Sequence, residues 1–172
     1  LSGRLRVDMP TAVAHNIVLP RLSEFLAEHP GIDLEISSSD RRVDLVREGF
    51  DCVLRIGDLS DTTLVARNLG DFDMVNCVGA GYARRNGTPQ NLADLQHHQL
   101  VHYVMGFGST TALFEYQEDG KTRTLPMSRS VAVNNVQAYK AACIGNLGII
   151  QSPRMGMKKH LIAGDLIEIL PQ

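Results

Sequence analysis

No apolar run in this chain approaches the roughly 20 residues that a helix needs to cross a bilayer, so a spanning helix is not expected. The start, Leu1-Ser2-Gly3-Arg4-Leu5-Arg6-Val7, lacks the apolar core of a secretory signal and reads as a boundary within a longer chain. A basic excess is lacking too. The 17 Lys and Arg stand against 19 Asp and Glu, a formal net charge of −2, which makes these residues a poor surface for nucleic acid. Cysteine is sparse: Cys52, Cys77 and Cys143 are odd in number and never closely spaced, as reduced core thiols of a cytoplasmic protein would be. There is no nucleophile elbow, no Gly-Lys-Ser/Thr phosphate loop and no His-Glu-x-x-His. Gly79-Ala80-Gly81 opens a helix but lacks the third Gly of a dinucleotide fingerprint. Catalysis therefore has no supporting motif, and the chain is not expected to be an enzyme.

What remains is an ordinary globular composition, 44% hydrophobic and 21% charged over 172 residues. The first third alternates strand and helix. Leu5 to Met9 reads as a strand ending at Pro10-Thr11. Ile17, Val18, Leu22, Phe25 and Leu26 recur every three or four residues in a helix interrupted at Pro20. Ile32 to Ile36 alternates with the strand period. Ser37 to Asp40 then cap a second helix over 41–48, and Cys52 to Ile56 is a third strand. That rhythm predicts a parallel sheet. Thr63 to Val78 is read as strand-rich, Leu100 to Val104 as a strand, and Phe114 to Leu125 as a hairpin turning at Glu118-Asp119-Gly120-Lys121.

The most informative stretch is Gly145-Asn146-Leu147-Gly148-Ile149-Ile150 with Pro153, preceded by Val131 to Cys143. It reads as strand, polar turn, helix, Gly stop and strand. Asn134 and Asn135 start the helix, whose first turn presents amide groups above the sheet. The Gly-Asn-Leu-Gly portion itself reads as packing and turn geometry.

In order and spacing, several landmarks resemble the regulatory, effector-binding region of LysR-type transcriptional regulators over nearly the whole chain. They are Leu19-Pro20-Arg21-Leu22-Ser23-Glu24-Phe25 with Pro30; Val43 to Asp51; Leu54-Arg55-Ile56-Gly57; and Gly87-Thr88-Pro89 with Asp94-Leu95 and His97 or His98. Gly145 to Ile150 with Pro153, and Gly164-Asp165-Leu166, complete the series. The resemblance implies an α/β, two-lobed type 2 periplasmic-binding-protein-like fold, each lobe a mixed sheet flanked by helices. It divides the chain into regulatory subdomain I, residues 4–72 and 152–172, and regulatory subdomain II, residues 73–151. The chain would cross near Asp71–Asp73 and return near Gln151–Ser152. The resemblance also implies a bacterial, cytoplasmic regulator whose N-terminal winged helix-turn-helix, the part that meets DNA, is absent from these residues. A homodimer or homotetramer is implied as well, packed through the helix that bears Val18, Arg21, Leu22, Phe25 and Leu26.

Ligands of open parallel sheets lie beyond the carboxyl ends of the strands. The candidate effector-binding residues are Met9 and Thr11; Ser38, Ser39 and Asp40; Arg55, Ile56 and Gly57; and, from the second lobe, Tyr103, Met105, Asn134 and Asn135. Hydroxyls, helix N-terminal amides and one Arg suit a small anion between the lobes, most simply a carboxylate. A purely structural use is open for each. Ser39 or Asp40 is an N-cap, Thr11 a loop hydroxyl, Arg55 the partner of an acid such as Asp58, the two Asn a helix start, and Tyr103 and Met105 core. His97, His98 and His102 lie where a strand spacing closes no chelate, so neither metal nor cofactor is expected. The alternative function is a transporter's solute-binding protein, which shares the lobes.

Overall fold

In the computed structural model, residues 1–41, 45–57, 65–108 and 111–171 are described, with the side chains at 45 and 46 excepted. They form two compact units, Leu1–Asp71 and Phe72–Gln172.

The first unit carries β1 (Ser2–Met9), β2 (Gly31–Ser38) and β3 (Cys52–Val53) in the order β2-β1-β3. Both pairings are parallel, as the strand–helix alternation predicts. The β1–β2 register runs from Ser2↔Gly31 to Met9↔Ser38, so Met9 and Ser38 end their strands side by side. β3 is shorter than expected. The Leu54 N–H still donates to the Asp8 carbonyl at 2.8 Å, but the Leu54 carbonyl accepts from the Arg55 guanidinium, and the ladder stops there.

The expected helix between β1 and β2 is one helical path of changing pitch. It comprises α1 (Thr11–Val13), a π-turn over Ala14–Val18, a 3-10 turn over Leu19–Arg21, and α2 (Leu22–Glu28). The change of pitch brackets Pro20, whose ring removes one amide donor from the helical ladder. Of the second helix, α3 (Leu45–Glu48) is observed, and residues 42–44 lie outside the described part. The stretch expected to be strand-rich from residue 63 is irregular over 65–73. There the Gly70 N–H donates to Asn68 Oδ1 at 2.7 Å, a local Asx-type turn that competes with a ladder.

The second unit holds the mixed sheet. β4 (Met74–Gly79) lies between β9 (Ile150–Pro153) and β10 (Leu166–Glu168), antiparallel to both. β5 (Leu100–Tyr103) and β8 (Arg129–Val133) are parallel, and Leu100 bridges Ile149 to join them to the same layer. β6 (Ala112–Glu118) and β7 (Lys121–Met127) form the expected hairpin. Its turn residues Asp119 and Gly120 both take positive φ, 52° and 71°, as a type I′ turn requires. The helices are α4 (Ala80–Asn86), a 3-10 turn (Leu92–His97), α5 (Val136–Ile144) and α6 (Arg154–Ala163).

The C-terminal segment departs from expectation. The resemblance places residues 152–172 with the first lobe, yet β9, α6 and β10 belong to the second unit. β9 pairs with β4 from Met74↔Pro153 to Cys77↔Ile150, and β10 returns to the other edge of β4. Buried Met157 and Leu166 complete a core with Val75, Val101 and Tyr139. Arg154 fastens the segment on both sides. Its Nε donates to Asp73 at 2.6 Å, and its two terminal nitrogens grip Glu168 at 2.8 and 2.6 Å.

Candidate functional site

In the first unit the three parallel strands end at one edge. The Ser39 N–H donates to the Met9 carbonyl at 3.1 Å, extending the β1–β2 pairing by one residue. Thr11 is the first residue of α1, and its N–H donates to Asp40 Oδ1 at 3.0 Å. Pro10 precedes that helix and supplies no side-chain cap, so Asp40 caps it from the neighbouring strand end. Asp40 thus serves α1. Ser38 is exposed, Thr11 and Ser39 are half-buried, and Ile56 and Gly57 are exposed on the chain after β3. Met9 is buried and contributes instead to an apolar groove, described below.

Arg55 has a partner that the sequence reading did not name. Its Nη2 lies 2.7 Å from Oδ2 of Asp8, a residue of the central strand with no exposed surface. The two atoms are completely buried and form a close ion pair without the alignment of a hydrogen bond. Asp8 Oδ1 accepts from the Ser39 hydroxyl at 3.3 Å. The acid considered in the sequence, Asp58, lies outside the described residues. Asp8 could have been suspected from its place in Leu5-Arg6-Val7-Asp8-Met9. Val7 and Met9 face the helix side, which leaves Asp8 on the opposite face of a central strand, where a carboxylate needs a cation.

In the second unit the ends of β5 and β8 lie side by side, Tyr103 opposite Val133, with the Val104 N–H donating to the Val133 carbonyl at 2.8 Å. This register brings Tyr103 and Met105 to the same end of the layer as Asn134 and Asn135. Asn135 is the N-cap of α5, its Oδ1 accepting from the Ala138 N–H at 2.9 Å, so the helix-start reading is realised at this residue. Asn134 is exposed and its Oδ1 lies 3.5 Å from the Asn135 amide nitrogen. Tyr103 packs edge-on against Tyr139, with ring centroids 5.3 Å apart. Met105 is 55% exposed, so it is not core.

His98 and His102 have structural partners. Tyr82 Oη lies 3.2 Å from His98 Nδ1 and accepts from the Gln99 N–H at 2.9 Å, so the hydroxyl joins the ring to the backbone. Burial pulls the His98 pKa down. The His102 pKa is lowered by burial and by the Arg129 charge. Cys77 and Cys143 are buried core thiols, Cys143 donating to the Cys77 carbonyl at 3.5 Å, whereas Cys52 is exposed.

The helix of the first unit leaves an open groove of about 350 Å³ against its sheet. Leu5, Val7 and Met9 of β1, Leu34 and Ile36 of β2, and Val18, Arg21, Leu22 and Phe25 of the helix line it. Four of the five residues expected at a dimer interface are therefore part of this surface; Leu26, the fifth, is half-buried beside them.

The model of the LysR substrate binding domain matches residues 1–172. The chain belongs to that family. It is 44% identical over 171 residues to an uncharacterized HTH-type transcriptional regulator, YhjC, of Escherichia coli (strain K12), covering 99% of this chain and 57% of that protein. An uncharacterized HTH-type transcriptional regulator of Haemophilus influenzae is 30% identical over 172 residues, of which the chain spans 59%. Among solved structures, the regulatory domain of CrgA, a LysR-type transcriptional regulator from Neisseria meningitidis, superposes with a TM-score of 0.78 at 25% identity, covering 99% of this chain and 82% of that one. The relatives are regulators, so the transporter alternative falls away. The LysR landmarks also acquire physical roles. Gly164 takes the left-handed cap of α6 (φ 76°), and Gly145 to Ile149 turn α5 into β9.

Proposed function

We propose that this chain is the effector-sensing part of a LysR-type, DNA-binding transcriptional regulator. The observation that carries the reading is the match of the LysR substrate binding domain to all 172 residues. The chain spans 57% and 59% of the two relatives named above, and both are called HTH-type regulators. DNA contact then belongs to a helix-turn-helix outside these residues, consistent with their net charge of −2. The work of the domain is binding and not catalysis, in the cytoplasm of a bacterium.

Candidate contact groups for a small-molecule effector are the strand-end residues of each unit taken by itself: Thr11, Ser38, Ser39, Asp40, Ile56 and Gly57 in the first, and Tyr103, Met105, Asn134 and Asn135 in the second. Exposed hydroxyl and amide groups at the ends of parallel strands support that assignment. An effector acts by binding one conformation of the regulator better than another. A thermal-shift screen against small polar and aromatic metabolites tests the reading. At least one compound raises the melting temperature saturably; a broad screen without one, on folded protein, contradicts it.

Assembly into a homodimer is proposed through the helix bearing Val18, Arg21, Leu22, Phe25 and Leu26. Phe25 keeps 37% of its surface exposed beside an apolar groove, an arrangement that a second chain would cover. Sedimentation of the intact regulator checks this: Phe25→Glu shifts it toward monomer, and an unchanged assembly contradicts the interface.

A further inference from the structure

The strand ends of the first unit have an unusual distribution of charge. The sheet edge holds one described guanidinium, Arg55, with 21% of its side chain exposed. A small anion entering this edge would be expected to seek that group and the neighbouring hydroxyl of Ser39. Both are already taken by one residue. Asp8, fully buried on the central strand, places Oδ2 2.7 Å from Arg55 Nη2 and accepts the Ser39 hydroxyl on Oδ1 at 3.3 Å. Arg55 is braced further by its own Nη1, which donates to the Leu54 carbonyl at 2.7 Å.

We infer that Asp8 is a built-in carboxylate that fills the anion-binding donors of this edge, so that the effector group received here carries no negative charge. The inference rests on the effector-sensing reading and names the chemistry it selects. An incoming carboxylate would have to displace Asp8 from Arg55, which leaves a charged group buried without a partner, a state proteins avoid strongly. It would also approach Asp40, the second carboxylate of the edge, whose Oδ1 is held by the Thr11 N–H. Arg41, which follows it in the chain, is gripped by both oxygens of Glu48. With Arg55 and Ser39 held by Asp8, a neutral hydrogen-bonding group suits this edge; the anion that hydroxyls, amides and one Arg suggest in the sequence does not.

The experiment removes the internal carboxylate and offers an external one. Asp8→Ala leaves a gap of carboxylate size between Arg55 and Ser39. Melting temperatures of wild type, Asp8→Ala and Asp8→Ala/Arg55→Gln are compared in sodium acetate and in sodium chloride at equal ionic strength. Acetate also stabilises proteins generally, as an excluded salt, so the difference from wild type is what counts. The expected result is a saturable acetate stabilisation of Asp8→Ala, about 2 °C or more beyond that of wild type and lost in the double variant. If Asp8→Ala does not fold, Asp8→Ser, whose shorter side chain leaves most of the same gap, replaces it and again makes acetate distinguishable from chloride. Absence of any acetate-specific effect in the folded single variant would overturn the inference. So would a saturable carboxylate response in the wild type that Arg55→Gln removes. A metabolite screen without a hit would sink the sensor reading and leave an acetate rescue standing; a failed rescue would do the reverse.

Discussion

Asn146 Oδ1 accepts the backbone N–H of Tyr82 at 2.7 Å, so a residue from the turn after α5 caps the N-terminus of α4. The cap is built by close approach. A Cβ placed on Gly81 would lie 2.8 Å from Asn146 Oδ1, and one on Gly79 would collide with the same amide and with the Cys143 carbonyl. Asn146 itself takes a left-handed conformation, φ 64°, which Asn tolerates better than most residues. Replacing it with Ala removes the cap and strains the turn, for a loss of about 2 kcal/mol in denaturant unfolding. Asn146→Gly keeps the turn and loses only the cap, so it costs less. No loss in Asn146→Gly would show that the cap contributes nothing.

A second prediction concerns Gln151. Its amide imitates a strand: Oε1 accepts the Glu115 N–H at 2.8 Å and Nε2 donates to the Glu115 carbonyl at 2.7 Å, holding the β6–β7 hairpin. The same Nε2 donates to Asn76 Oδ1 at 2.8 Å, and Asn76 passes the link to the Leu170 carbonyl. Gln151→Ala leaves the buried Asn76 amide without that donor and frees the hairpin, at a cost of about 1–3 kcal/mol. Hydrogen exchange locates the effect: amides of 112–127 lose protection more than those of α5. Uniform loss across the unit would contradict a hairpin-specific tether.

Acidification is predicted to weaken the second unit. Burial lowers the folded-state pKa of His98 below its ordinary 6.5, with Asp94 opposing and His97 reinforcing the shift. The fold therefore favours neutral imidazole, whose Nδ1 faces the Tyr82 hydroxyl. The stabilisation is complete above the unfolded pKa of about 6.5 and is lost as pH falls below it. His102, lowered by burial and Arg129, acts in the same direction. Melting temperature measured from pH 7.5 to 5.5 falls, and His98→Gln shows a smaller fall. An unchanged slope in His98→Gln would assign the effect elsewhere.

The local elements were legible because each had a physical signature. Alternation gave β2, the Asp119-Gly120 pair gave the hairpin turn, and Asn135 gave the start of α5. Destinations were not legible. Residues 150–153 and 166–168 are short apolar strands that fit either unit, and only their partner β4 distinguishes the alternatives. The same limit hid the Asp8–Arg55 pair. The two residues are 47 apart in sequence, and their meeting depends on β1 and β3 lying side by side. Family landmarks carried the function because chemistry alone, hydroxyls and amides at strand ends, specifies no activity.

The central claim is that the polar strand ends receive an effector. The most direct measurement is amide chemical-shift mapping of the chain titrated with a compound that raises its melting temperature. The account predicts saturable shifts at strand ends, at residues 11, 38–40 and 56–57 in the first unit or at 103–106 and 134–136 in the second. Shifts confined to the apolar groove at Val18, Leu22 and Phe25, with the strand ends unmoved, would contradict it.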